Sequence, residues 1–242
     1  MNHEHAHHMA EAVTGSIDAL GAWWGGFSSF YSIWFFCLFQ ISPFFIAFII
    51  ATAASAEGGI GDRLKKTIMP ALLCSIGYIV LFSALGATAS STGMALLRYN
   101  SLLGQLGGIL ALLLGAWYLS ALRFPRIPDA VVINVGGLFL GIALALSYRP
   151  CVTPTLTLIY NLTQSPDTVA SGTGYLAVYA VGVCMGIVAA ALALSALILM
   201  PSGGIAAKGA RVAGGVLLIV FGILVVADLM TAYKGFLVGG LV

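Results

Sequence analysis

Residues 137–160 read GLFLGIALALSYRPCVTPTLTLIY, an apolar run interrupted at its middle by Arg149, Pro150, Cys151 and Pro154. The apolar span around it, 131–162, is too long for one straight crossing of a hydrocarbon core about 30 Å thick. Each proline removes a backbone donor and clashes with the preceding turn, so the pair predicts a helix broken or sharply kinked within the span. Non-helical backbone at that depth persists only where protein or a wet cavity surrounds it. Residues 39–48, FQISPFFIAF, hold a weaker version, with Pro43 retained and Ala47 in place of a second proline.

The rest of the chain is of the same character. Of 242 residues, 60% are hydrophobic and 7% charged, whereas a soluble domain carries roughly a quarter charged residues. In hydrocarbon every backbone group must be paired within the protein, which leaves helix bundles or closed barrels. The apolar runs do not alternate in period two, so helices are expected. The net charge of +2 is too small and scattered for nucleic acid. Cys37, Cys74, Cys151 and Cys184 all fall in apolar runs, in neither a disulfide-scaffold nor a zinc-site spacing. No cofactor and no metal site is expected. The N-terminus lacks the positive n-region of a signal peptide, because the first Lys or Arg is Arg63. Residues 1–29 are read as an outer-side tail and interfacial segment, with His3, His5, His7 and His8 followed by Trp23 and Trp24. The histidine tract is expected to be a disordered tail rather than a metal site.

Breaks at charged and Gly/Pro-rich stretches predict six spans, near 30–55, 69–90, 101–122, 131–162, 172–200 and 212–231. The first, third and fifth connections hold Arg63, Lys65, Lys66, Arg123, Arg126, Lys208 and Arg211, and the opposite side only Arg98 and Lys234. This positive-inside asymmetry predicts both termini outside the cytoplasm.

Displaced along itself by about 107 residues, the chain repeats. Pro43 falls on Pro150, Gly107 on Gly214, Gly108 on Gly215 and Gly115 on Gly222, with GGILALLLG at 107–115 matching GGVLLIVFG at 214–222. Each half holds three helices, an odd number, so the halves enter the membrane in opposite senses. The predicted fold is an all-α integral membrane protein of six transmembrane helices in a 3+3 inverted repeat. The first helix of each half is broken at proline. The halves are 30–125 and 126–242.

These stretches resemble the CcdA/DsbD transmembrane electron-carrier family. The fourth-helix PCxxP step is Pro150-Cys151-Val152-Thr153-Pro154, while GGILALLLGAWYL, GYLAVYAVGV and VAGGVLLIVFGIL are similar to that family's third, fifth and sixth helices. The resemblance implies a bacterial or archaeal cytoplasmic membrane protein that takes reducing equivalents from cytoplasmic thioredoxin. It would pass them to an extracytoplasmic thioredoxin-like protein or apocytochrome c. The implied carrier is a cysteine pair, one in the first helix and one in the fourth, and Cys151 occupies the fourth-helix position. At the first-helix position the family has SPCxxP, and this chain has Ser42-Pro43-Phe44-Phe45-Ile46-Ala47. Phe44 stands where the partner cysteine belongs.

Thiol exchange needs a second sulfur to resolve a mixed disulfide. Cys37 is the candidate in the right helix, either as that thiol or as a small buried hydrophobe in WFFCLF. It lies two turns from Phe44, about 10 Å along a regular helix, and a disulfide needs Cα atoms within about 7 Å. Cys74 and Cys184 are expected as inert core cysteines. Arg149, an intramembrane charge beside Cys151, would favour its thiolate, bind an anionic group, or make a structural contact. Cys151 and Cys37 are thus the catalytic candidates, with Pro43, Phe44, Arg149, Pro150 and Pro154 shaping the site. Two other readings fit the same pattern. One is a small-ion or metal permease using the broken helices, and the other a non-catalytic membrane assembly subunit.

Overall fold

The computed structural model describes residues 18–31, 41–56, 58–86, 100–119, 128–147, 154–165, 167–199 and 204–239, and all regular structure among them is helical. In chain order the helices are α1 (Ala19–Tyr31), α2 (Ser42–Ser55), α3 (Ile60–Gly86), α4 (Asn100–Tyr118), α5 (Asp129–Ser147), α6 (Pro154–Thr163), α7 (Val169–Leu199), α8 (Gly204–Val226) and α9 (Met230–Gly239).

Four of these are long and apolar enough to cross a membrane, over Gly61–Gly86, Asp129–Ser147, Val169–Ile198 and Ala207–Val226, and Ser42–Ser55 and Leu102–Tyr118 form shorter apolar helices. With its 14 residues, α2 reaches about 21 Å, short of a ~30 Å core. The surface agrees with a lipid solvent. On α4, Leu102, Leu106, Ile109 and Leu113 are exposed while Gly107, Gly108, Ala111 and Gly115 are buried. Large apolar side chains outward and small ones inward is the arrangement of helices in hydrocarbon, where close backbone approach replaces the hydrophobic drive. The chain is a multi-pass membrane protein.

Two prolines sit where helices begin, while Pro70 lies inside α3. Pro43 occupies the first turn of α2, and α6 starts at Pro154. A missing N–H costs nothing at that position, and the fixed φ suits a first turn. The residues before these two helices, 32–40 and 148–153, lie outside the described residues.

The most heavily packed helix pairs each join a helix before residue 120 to one after residue 128: α4 with α8, α3 with α5, α1 with α7, and α2 with α8. Along α4 and α8 the glycines of the two matching motifs meet. A Cβ on Gly115 would stand 2.8 Å from the Gly215 carbonyl oxygen, and one on Gly222 2.7 Å from that of Gly108. At the α3–α5 contact a methyl on Gly141 would overlap the Cys74 carbonyl, and at α1–α7 one on Gly26 would overlap that of Tyr179. Helix α1 belongs to this packed body. Its Ser29 hydroxyl gives its proton to the Gly25 carbonyl (2.6 Å) and lies 3.1 Å from the Tyr179 hydroxyl.

Candidate functional site

Of the residues that the sequence singles out, Phe44 is the best placed for description. It lies in the first turn of α2, directly after Ser42-Pro43, and is 2% exposed. Its ring packs at 4.8 Å from Phe221 on α8 and 6.0 Å from Tyr233 on α9. Burial raises the Tyr233 hydroxyl above the ordinary tyrosine value, so it stays neutral beside these rings. Ile41 and Phe45, on either side, are fully or almost fully buried. The start of α2 is therefore filled by an aromatic cluster tying α2 to α8 and α9. Aromatic pairs at such spacing add about 0.5–1.5 kcal/mol to the burial itself.

Cys37, Arg149, Pro150 and Cys151 lie outside the described residues, as does the histidine tract. Pro154 is described as the first residue of α6.

Cys74 and Cys184 are buried free thiols on α3 and α7. The fold sets them within electrostatic range of each other, and the Cys184 side chain hydrogen-bonds Ser75. Ser75 in turn donates to the Ala71 carbonyl at 2.9 Å. Enclosure on all sides gives neither sulfur a route to a protein partner, which agrees with their reading as core residues.

A second buried polar contact crosses the first half. The Thr52 hydroxyl donates to the Phe48 carbonyl (2.8 Å) and pairs with the Tyr118 hydroxyl at 2.6 Å. Just beyond, the Arg211 Nε–H donates to the Tyr118 carbonyl at 2.8 Å, and the guanidinium lies 5.9 Å from the Trp117 ring centre. Arg211 thereby serves one of the carbonyls that the end of α4 leaves without an intrahelical partner. Sequence reasoning did not single out Thr52 or Tyr118, and it counted Arg211 only as a charge of the fifth connection, whereas Arg211 lies within α8. A threonine in an apolar run signals little alone, since its hydroxyl is usually satisfied by its own helix.

Among the described residues no group of three or more His, Cys, Asp and Glu side chains is placed to hold a metal ion.

Comparison with known proteins gives one significant curated relative. The chain is 26% identical over 158 residues to the cytochrome c-type biogenesis protein CcdA of Halalkalibacterium halodurans, a match covering 62% of this chain and 66% of that protein. No family model matches, and no solved structure matches significantly.

Proposed function

The chain is CcdA/DsbD-like, and on that premise we propose that it is a membrane thiol-disulfide carrier. It takes a reducing pair from cytoplasmic thioredoxin and passes it to an extracytoplasmic thioredoxin-like protein or apocytochrome c. The observation that carries this reading is the Pro150-Cys151-Val152-Thr153-Pro154 step in a chain similar to CcdA. The setting is a cytoplasmic membrane with both termini outside the cytoplasm. The tail covers residues 1–29 and the halves 30–125 and 126–242.

The supporting architecture is a 3+3 inverted repeat. Helices starting at Ser42, Ile60 and Asn100 have counterparts starting at Pro154, Val169 and Gly204. The two third helices, α4 and α8, lie on each other. The Gly115–Gly215 and Gly108–Gly222 approaches exchange with one another under this correspondence. Such symmetry places a shared site where the halves meet.

In this mechanism the oxidised carrier holds a Cys37–Cys151 disulfide. A thioredoxin thiolate attacks one of its sulfurs, a mixed disulfide forms, and the second thioredoxin thiol displaces it. Two electrons and two protons enter the carrier as a dithiol, and thioredoxin leaves as a disulfide. The same steps run in reverse on the outer partner. Cys37 supplies the second sulfur because Phe44 holds the usual position, and Pro43, Phe44, Pro150 and Pro154 shape the site. Arg149 stabilises the Cys151 thiolate.

The test is disulfide trapping in membranes with a thioredoxin that lacks its resolving cysteine, followed by acid quench, alkylation and non-reducing gels. An adduct is expected that disappears in Cys151→Ser and that ceases to resolve in Cys37→Ser. A reduced, unreactive Cys151 with no adduct would overturn the redox reading in favour of a permease or an assembly subunit.

A further inference from the structure

Helix α8 stops abruptly. The Leu229 amide donates to the Leu224 carbonyl (2.8 Å) and the Asp228 amide to the Val225 carbonyl (3.2 Å), the paired bonds that end a helix around a residue in the left-handed region. That residue is Asp228, with φ 54°, at a position that glycine usually fills because it has no Cβ to clash. Ala227, Asp228 and Leu229 are all exposed. The chain then returns to helix as α9, the most lightly packed of the described helices.

Two side chains one turn apart hold α9 down. Met230 belongs to the buried core, and the half-buried Tyr233 sets its ring 6.0 Å from that of Phe44. Phe44 also meets Phe221, which lies five residues before the end of α8, about 7.5 Å. The start of α2 thus sits just beneath the α8–α9 turn, with α9 laid over it. Beyond Tyr233 the helix stands away from the core, since Gly235 is exposed and Phe236 is 77% exposed. An element held at one end by two side chains and joined through an exposed turn has few contacts to lose on opening, so it opens well before the body unfolds. What it covers is firmly packed, because Ile41, Phe44 and Phe45 are enclosed.

We infer that α9 is a hinged cover over the start of α2, latched by Tyr233 on Phe44 and turning about Asp228. Its opening decides when a thiol partner can reach that end of the carrier. That consequence rests on the function proposed above, whereas the cover itself does not.

The test uses the full chain in membranes with Phe44→Cys as its sole thiol, the native cysteines being replaced by alanine. The rate of labelling by a small water-soluble maleimide is followed. Labelling is expected to be slow in this parent and about tenfold faster with Asp228→Val, because a β-branched residue is strained at positive φ and displaces α9. Tyr233→Ala, which removes the latch, should also label faster. Asp228→Gly, which suits the turn, and Phe236→Ala, on the exposed end, should label like the parent. In the chain with its native cysteines and Phe44, Tyr233→Ala should speed hydrogen exchange at the amides of residues 45–49. Equal labelling in all of these proteins would overturn the proposal and leave α9 as a fixed surface anchor. Where the sole-thiol chain is not monodisperse, unchanged exchange in Tyr233→Ala would overturn it instead. None of these readouts needs the thiol relay, so a missing thioredoxin adduct overturns the proposed function and leaves the cover standing.

Discussion

The seam between the third helices and the surroundings of the first helices follow different rules. Along α4 and α8, glycines at matching positions press against each other's backbone, so the two sides are interchangeable. Around the first helices, residues 107 apart in the sequence differ. At that offset Phe44 falls on Cys151, and the buried pair Thr52 and Tyr118 fall on Ile159 and Val225, which are buried and apolar. Backbone-to-backbone packing tolerates only glycine, on either side. A side-chain position can change provided that its neighbours fill the space and satisfy its polar atoms.

The largest expected effect comes from breaking the seam. Gly115→Leu and Gly222→Leu each drive a side chain into an opposing carbonyl that cannot rotate away, at a cost of at least the 1–3 kcal/mol of ordinary overpacking. Both variants should lose monodisperse protein on size exclusion in detergent, and to the same degree. Tolerance of only one would break the equivalence of the two sides.

Next is Phe44→Ala, which empties a fully enclosed ring site between α2, α8 and α9. About 3–5 kcal/mol is expected, read as a lowered thermal midpoint in detergent. A loss under 1 kcal/mol would mean that the aromatic cluster is not what holds this position.

A smaller effect sharpens the comparison at the hydroxyl pair. Thr52→Val leaves the Tyr118 hydroxyl buried without its partner, at about 1–3 kcal/mol, whereas Thr52→Val with Tyr118→Phe should sit close to wild type. The double variant recreates the apolar character that Ile159 and Val225 give the other half. A double variant worse than the single one would show that the hydroxyls have a further role. The smallest effect belongs to Gly104, where an added Cβ meets nothing within 4 Å. Gly104→Ala should match or exceed wild-type stability by up to about 1 kcal/mol.

Much of this was readable from the chain. The low charge and the apolar runs announced helices in lipid, and Gly107, Gly108 and Gly115 with their matches stood out as a repeated motif. What those glycines touch was not readable. Periodicity says which face of a helix is small, but not which distant helix will lie on it. Helix α1 shows the same limit. Trp23 and Trp24 suggest an interface, while Gly26, the residue that seats the helix on α7, looks like any other glycine in a chain that has 30.

That the strongest contacts join helices before residue 120 to helices after residue 128 bears on how the protein is made. Helices leave the ribosome in chain order, yet α1 waits for α7, α3 for α5, and α4 for α8, while within the first half the substantial pairing is α2 with α3. A nascent chain stopped after α4 would present its glycine faces to lipid with nothing to cover them. Assembly therefore completes late, when α8 arrives and closes on both α2 and α4. Until then the growing protein is exposed to the membrane's proteases and insertases as a loose set of helices.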